Sequence, residues 1–149
     1  MQEAYSYRRD ESVPCFPDDR PIIIFDGYCA LCSGWARFVL HQDRKGRYRL
    51  LAAQSTLGRA LYVHYQLAPD NYETNILIAD GVAWFKSEGS IRMAEGLGLP
   101  WSLVAVFRAC PLRIRDRLYE FIARNRIRFF GRRNTCFVPA ADDKSRFLE

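Results

Sequence analysis

The first clear feature in the distribution of hydrophobic residues is a short run, residues 22–25, in which every residue is apolar. A β-branched run of this length predicts a strand that is buried on both faces, and Asp26-Gly27 ends it. In residues 30–42 the apolar positions change to a spacing of three and four, which predicts a helix with one apolar face. These positions are Leu31, Trp35, Phe38 and Val39. The pattern therefore begins with a strand followed directly by a helix.

A second strand and helix follow. Residues Tyr48–Ala52 predict a strand, and because a helix separates it from the first strand, the two should pair in parallel through a right-handed crossover. Ser55 is suited to cap a second helix, Thr56–Gln66. Asp80-Gly81 then marks a two-residue hairpin turn between two further strands, Asn75–Ala79 and Val82–Lys86.

The remaining pattern is helical. Ser87 or Ser90 should cap a short helix that ends near Gly96 or Gly98, which completes the order β-α-β-α-β-β-α. This order predicts an α/β fold with a thioredoxin-like core. Residues 101–128 add a C-terminal helical segment that ends at Gly131 and carries an apolar stripe of Ile114, Leu118, Phe121 and Ile122. We expect one domain over residues 20–136, a polar extension over 1–19 that is unordered or draped over the domain, and a polar tail over 137–149.

Composition limits the class of protein. The 149 residues suffice for one hydrophobic core, and the net charge of +5 comes mainly from arginine. Residues 1–19 lack the apolar core of a signal peptide, and polar and helix-breaking residues interrupt the longest apolar segment, 97–111. We expect a cytoplasmic protein without a membrane partner and, since no nucleic-acid reader motif is present, without a nucleic-acid partner. The sequence leaves the oligomeric state open.

Cys29 and Cys32 are the main candidates for chemistry. They lie three positions apart where the first strand meets the first helix, and a helix N-terminus stabilises a thiolate. We expect Cys29, at or just outside the first turn, to attack a disulfide, and the less exposed Cys32 to resolve the mixed disulfide. Asp26 either caps the turn or accepts the proton of Cys32, and both roles are compatible. No metal or organic cofactor is needed for this reaction.

Zinc binding is the alternative use of the two cysteines. A structural zinc site takes four ligands, usually as two close pairs, and this chain has only one close pair. The site would need single residues from elsewhere: Cys15, Cys110, Cys136, His41 or His64. The protein would then be a zinc-stabilised binding module whose basic helix contacts an anionic partner. The odd number of cysteines, without framework spacing, favours redox or metal roles over structural disulfides.

The chain resembles the DCC family of predicted thiol-disulfide oxidoreductases, which are thioredoxin-like. The aspartate and two cysteines of the family motif match Asp26, Cys29 and Cys32, and the resemblance spans roughly residues 21–136. Its C-terminal part is carried by Arg115-Asp116, Tyr119, Ala123-Arg124-Asn125-Arg126, Phe130-Gly131 and Cys136. The resemblance implies thiol–disulfide exchange with a protein or a small thiol such as glutathione. One departure concerns the cis-proline that thioredoxins carry before their third strand, where this chain has Glu73-Thr74.

Two further groups are candidates for auxiliary roles. Arginines are frequent between residues 108 and 133, and most are expected to form a solvated helix face. Within this region the segment Arg124, Asn125 and Arg126 is the candidate for approaching the cysteines, where it would stabilise a thiolate or bind an anionic thiol. Cys136 is either a third redox thiol, a shield for the pair, or a small buried residue.

Overall fold

A five-stranded sheet forms the centre of the computed structural model, which describes residues 2–148. The sheet order is β4-β3-β1-β2-β5. Strand β1 pairs in parallel with β2 and antiparallel with β3. The strands are β1 (Ile22–Phe25), β2 (Arg49–Ala52), β3 (Ile76–Ala79), β4 (Val82–Phe85) and β5 (Phe147–Leu148). The mixed α/β architecture confirms the predicted thioredoxin-like fold with a C-terminal helix.

Four α-helices surround the sheet: α1 (Ala30–Gln42), α2 (Thr56–His64), α3 (Lys86–Glu95) and α4 (Leu112–Phe130). The first connects β1 to the parallel strand β2, as the predicted crossover requires. All four residues of β1 are fully buried, because β1 lies between two neighbouring strands and is covered on both faces. The sheet therefore fixes the end of β1, and with it the start of α1, as a rigid point in the fold.

The hairpin and the cap of α2 form as the sequence predicts. Asp80 and Gly81 both have positive φ angles, which suits the two-residue turn that joins β3 to β4. Ser55 accepts the N–H of Gly58 at 3.0 Å. The start of α3 differs from the prediction, because neither Ser87 nor Ser90 caps it. Phe85 occupies the cap position without a side-chain hydrogen bond.

The helical region after residue 100 is divided into two parts. A 3-10 helix, Trp101–Ala109, precedes α4, and Pro111 occupies the N-cap position of α4. The sequence predicts one helical segment over residues 101–128, whereas the structure interrupts it because the residue before a proline disfavours helical angles. Cys110 is accordingly extended, with φ −76° and ψ 134°. Among residues 2–148, no helix is both long and apolar enough to cross a membrane.

Both ends of the chain pack against the domain. In the N-terminal extension, Tyr7 and Val13 are buried in the core, so this segment is draped over the domain. The described part of the predicted tail, residues 137–148, also makes apolar contacts. Phe147 belongs to β5, which pairs in parallel with β2, and its ring stacks on that of Phe137. A two-residue strand is too short to show a hydrophobic period, which explains why the pattern does not reveal it.

Candidate active site

Cys29 is the N-cap residue of α1. Its backbone is extended, with φ −79° and ψ 125°, and its Sγ accepts the N–H of Cys32 at 3.3 Å. This is the position that Ser, Thr, Asp or Asn usually occupies, where a side-chain acceptor satisfies a free N–H of the first turn. The motif therefore uses a sulfur as the helix cap and brings the second cysteine, one turn later, against it.

The two thiols differ in their pKa. A hydrogen bond from the thiol of Cys32 is the main factor that lowers the pKa of Cys29 to about 6, and the backbone N–H of Cys32 and the charge of Arg126 contribute in the same direction. The same hydrogen bond, together with burial, raises the pKa of Cys32. One thiolate shared with one thiol is the arrangement expected of a dithiol pair poised for exchange. At neutral pH the thiolate therefore belongs to Cys29.

The exposure of the pair differs from the sequence expectation. Cys29 is 0 % exposed and Cys32 is 6 % exposed, so the expectation that Cys29 is the more exposed thiol is wrong. The cause is a segment after α4, residues 131–137, which we call the covering segment. Its backbone forms three hydrogen bonds to residues 27–30, which we call the motif loop: Ala30 N to Gly131 O, Arg133 N to Tyr28 O, and Phe137 N to Gly27 O. The first two of these bonds pair Cys29 with Arg132 as an antiparallel bridge.

Asp26, at the end of β1, is buried and bound by three donors. Its Oδ1 accepts from the backbone N–H of Tyr28 at 2.9 Å and from Nε2 of Gln54 at 2.6 Å. Its Oδ2 accepts from a guanidinium N–H of Arg126 at 3.1 Å. Asp26 thus does hold the turn, as one of the two expectations for it states. It also forms a buried ion pair, and the carboxylate raises the pKa of both cysteines while Arg126 lowers both.

Of the three α4 residues predicted as auxiliary, only Arg126 reaches the motif. Arg126 lies on the buried face of α4, and its Nη1 also donates to the carbonyl of Ala123. Arg124 is exposed. Asn125 donates to the carbonyl of Phe121 within the helix itself. The helical period explains why only one of these three residues faces the motif, since adjacent residues on a helix point about 100° apart.

Cys136 lies in the covering segment beside the motif loop. A Cβ atom on Gly27 would stand 2.5 Å from its Sγ, so a side chain at position 27 would collide with the sulfur. Burial raises the pKa of Cys136. Its thiol therefore stays protonated more readily than an ordinary cysteine, and the half-buried side chain packs against the glycine.

An open cavity of about 200 Å³ adjoins the pair on the side of Cys32. Its walls are mainly apolar, and Glu73 and Asn75, from the segment before β3, add two polar side chains. The lining comprises Leu31, Cys32, Trp35, Glu73, Asn75, Ser90, Tyr119, Ile122, Ala123 and Arg126. A visiting molecule can therefore approach Cys32 from this side, whereas the covering segment closes off Cys29.

Two residues of the site, Gln54 and Tyr119, were not predicted as site residues, although Tyr119 is among those that carry the family resemblance. Gln54 follows β2 and joins two parts of the motif, because its Oε1 accepts the N–H of Gly27 at 3.0 Å while its Nε2 binds Asp26. Tyr119 lines the cavity and accepts the N–H of Asn75 at 3.1 Å, and burial raises its pKa to about 12. Parallel pairing of β1 with β2 offers a hint for Gln54, since the carboxyl ends of parallel strands lie at one edge of the sheet.

The zinc alternative requires further ligands close to the pair. Over residues 2–148, no three or more histidine, cysteine, aspartate or glutamate side chains come together in a way that would hold a metal ion. His64 instead pairs with Asp10 at 2.6 Å, and Cys15 is exposed in the N-terminal extension. The residues near Cys29 and Cys32 therefore do not supply a set of four zinc ligands.

Known proteins are similar to this chain over most of its length. The uncharacterized protein YuxK of Bacillus subtilis is 36% identical over 127 residues, which cover 85% of this chain and 93% of that protein. The chloroplastic DCC family protein At1g52590 of Arabidopsis thaliana is 38% identical over 120 residues, which cover 80% and 70% respectively. No solved structure is significantly similar to the chain. The family model of the DCC1-like thiol-disulfide oxidoreductases matches residues 23–132. The chain therefore belongs to the DCC1-like thiol-disulfide oxidoreductase family.

Proposed function

We propose that the protein catalyses reversible thiol–disulfide exchange, with Cys29 and Cys32 as the dithiol. The observation that carries the proposal is the contact of the two cysteines at the start of α1, where the Cys29 sulfur accepts hydrogen bonds from the thiol and the backbone N–H of Cys32 and has its pKa lowered to about 6. A thiolate is the attacking species in this chemistry. The family name, which describes a thiol-disulfide oxidoreductase, supports the same reaction.

The reaction transfers two electrons from the dithiol to a disulfide. The Cys29 thiolate attacks one sulfur of the substrate disulfide, which forms a mixed disulfide and releases the other sulfur as a thiolate. Cys32 then loses its proton and attacks the Cys29 sulfur, which releases the second substrate thiol and leaves a Cys29–Cys32 disulfide. A reduced thiol donor returns the pair to the dithiol by the reverse sequence. Attack by Cys29 requires the covering segment, residues 131–137, to move aside.

Asp26 and Arg126 are proposed to set the electrostatic environment of the two sulfurs during these reaction steps. The arginine favours thiolates at both sulfurs, and the aspartate opposes them. Asp26 Oδ2 accepts one hydrogen bond, from Arg126, and keeps a lone pair for the proton that Cys32 releases during resolution. Arg126 thereby favours the attacking thiolate, and Asp26 serves as the acceptor for the proton of the resolving cysteine.

The cavity beside Cys32 supports a substrate with an apolar substituent next to its sulfur. Its volume of about 200 Å³ is below the range of about 300–1,000 Å³ that is typical for whole small-molecule sites. Arg126 at its wall is already neutralised by Asp26, and Glu73 adds a carboxylate. The cavity therefore suits one apolar group of a disulfide, carried by a small molecule or by a protein, better than the two carboxylates of glutathione. Such exchange fits a reducing compartment such as the cytoplasm.

Trapping of the mixed disulfide tests the proposal. The Cys32→Ser variant, incubated with a small aromatic disulfide, should accumulate an adduct on Cys29 that mass analysis of peptides locates. The Cys29→Ser variant should accumulate far less on Cys32, because the pKa of Cys32 is raised. The Cys110→Ser variant is the matched control and should turn over like the wild type. Accumulation on Cys32 in the Cys29→Ser variant would reverse the two roles, and no adduct in either variant would refute the reaction.

A further inference from the structure

The outer surface of α4 carries a row of exposed hydrophobic side chains. Ile114, Leu118, Phe121 and Phe129 are between 57 and 61 % exposed. Their spacing of four, three and eight keeps them on one side of the helix, and the rings of Phe121 and Phe129 lie 6.3 Å apart. The opposite side of α4 is the buried one, where Ala123 and Arg126 lie. A row of this size in contact with water is unusual on a monomeric protein.

A row of arginines runs beside the hydrophobic row. Arg113, Arg117, Arg124 and Arg128 follow each other at spacings of four, seven and four, and all are exposed. Within residues 2–148, no carboxylate lies within 4.0 Å of any of these four guanidinium groups, whereas Arg115 on the inner side of the helix pairs with Glu88. We call the two rows together the docking face. It presents apolar and cationic groups side by side.

The preceding 3-10 helix adds apolar side chains next to the docking face. Leu103, Val106 and Phe107 are all exposed. The two helices are neighbours on α3, because Arg108 of the 3-10 helix and Arg115 of α4 both pair with Glu88. Exposed apolar side chains therefore occur on both elements that pack against α3 and are not confined to one helix.

We propose that the docking face binds the surface of an anionic lipid bilayer. An interfacial helix of this kind buries its apolar side chains at the headgroup–acyl boundary, while basic residues contact anionic headgroups. Arginine can bury its aliphatic stem and still bring its charge to a phosphate. No helix that spans the membrane is needed for such binding. The inference replaces the sequence expectation that the protein has no membrane partner, and it does not depend on the proposed redox reaction.

Charge is the reason to prefer an anionic surface over a second copy of the chain. If two copies packed their docking faces together, the hydrophobic rows would meet, but the arginine rows of both copies would also come together, and the carboxylate beside each row, that of Glu120, is already paired with Lys86. Such like-charge contacts are unfavourable at interfaces. An anionic bilayer satisfies both rows at once, because it offers hydrocarbon and negative charge in the same layer.

Vesicle flotation with the full chain tests the proposal. The protein should float with vesicles of phosphatidylcholine and phosphatidylglycerol and stay unbound with phosphatidylcholine alone, and binding should weaken as salt is raised. The double variant Leu118→Asp/Phe121→Asp should bind at least about tenfold more weakly. Val63→Asp, on α2, is the matched control, since Val63 is 56 % exposed and lies off the docking face. It should bind like the wild type.

Two further variants test separately the contribution of charge to vesicle binding and the insertion of α4 into the bilayer. Arg117→Gln/Arg124→Gln should lose the preference for anionic vesicles, whereas the exposed control pair Arg44→Gln/Arg47→Gln should keep it. Tryptophan emission of Phe121→Trp should shift to shorter wavelength when anionic vesicles are added, and that of Val63→Trp should not. Absence of vesicle binding, equal binding by the Leu118→Asp/Phe121→Asp variant, or a dimer in sedimentation that this variant abolishes would each overturn the proposal.

Discussion

The side chain of Arg126 in α4 donates to Asp26 at the end of β1 over 3.1 Å, across 100 positions of sequence. Both groups are buried, and both act on the cysteine pair. Their effects on the pKa of Cys29 have opposite signs, because the guanidinium favours the thiolate and the carboxylate disfavours it. This ion pair links the C-terminal helix to the reactive motif.

The opposite signs lead to the first prediction. Arg126→Gln should raise the pKa of Cys29 above about 6, and Asp26→Asn should lower it below that value. The ultraviolet absorbance of the thiolate, followed as a function of pH, measures both changes. Arg124→Gln, which changes an exposed arginine two residues away, is the control and should leave the titration unchanged. Shifts of the same sign in both variants would show that the ion pair does not act through its charges.

The pH dependence of stability is the second prediction. Since the pKa of Cys29 is lower in the folded chain than its ordinary value of 9.0, ionisation of Cys29 stabilises the fold. This contribution is complete above pH 9 and is lost as the pH falls through about 6. Below pH 9 Cys32 keeps its proton in both the folded and the unfolded chain, because its pKa is raised, so it adds no slope there.

Denaturant unfolding of the reduced protein measures this effect. The difference in free energy of unfolding between the wild type and Cys29→Ser should increase from pH 6 to pH 9. Cys15→Ser, which changes an exposed cysteine, is the control and should show no such trend. A difference that is constant across this range would contradict the lowered pKa.

Close packing at the motif loop gives the third prediction. Gly27→Ala should destabilise the fold by about 1–3 kcal/mol, because the new Cβ meets the sulfur of Cys136. Cys136→Ala, combined with Gly27→Ala, should recover part of this loss, since it removes the sulfur. Gly34→Ala is the control, because a Cβ at position 34 meets nothing within 4 Å and should stabilise α1 by about 0.5–1 kcal/mol. Thermal or denaturant unfolding of the wild type and the three variants checks these values.

The covering segment, residues 131–137, is the subject of the fourth prediction. Phe137 is buried against the ring of Phe25, with ring centroids 5.5 Å apart. Phe137→Ala should loosen the segment and increase the rate at which Cys29 reacts with a small alkylating reagent, at a cost of about 3–5 kcal/mol in stability. Val138→Ala, which changes the exposed neighbour, should alter neither quantity. An unchanged alkylation rate in Phe137→Ala would mean that another part of the chain controls access to Cys29.

The cavity beside Cys32 gives the fifth prediction. Ala123→Leu adds bulk to a wall of the cavity and should lower the exchange rate with aromatic disulfides at least about tenfold, while oxidation by a small inorganic oxidant stays the same. Ala109→Leu, an exposed change outside the cavity, is the control. Equal rates for aromatic disulfides in the wild type and Ala123→Leu would show that substrates do not use this cavity.

Local patterns in the sequence were sufficient for the motif and for most of the fold. The run before Asp26, the helical spacing after Cys32 and the Asp80-Gly81 turn each encode an element within a few residues. For the contact between α4 and the motif, the sequence offered three neighbouring candidates, Arg124, Asn125 and Arg126, and could not distinguish among them. Only the packing of α4 against α1 decides that Arg126 faces inward.

Long-range contacts account for what the sequence did not reveal. The covering segment returns to the motif loop over about a hundred residues, and no periodic pattern marks a segment that pairs with a loop through its backbone. The role of Gln54 could not be predicted from the sequence either, since it depends on the alignment of β1 with β2. The stripe that includes Ile114 and Leu118 shows the reverse case. Its spacing is that of a buried helix face, but the structure turns it outward.

Redox titration of the full chain against glutathione, with mass mapping of the disulfide, tests the central claim most directly. The account predicts a single two-electron transition in which one disulfide forms, between Cys29 and Cys32, and returns to two thiols under reducing conditions. The measured potential then also shows whether the protein reduces or oxidises its partners. Two thiols that remain unpaired under oxidising conditions, or a disulfide that joins Cys29 to Cys136 instead, would contradict the account.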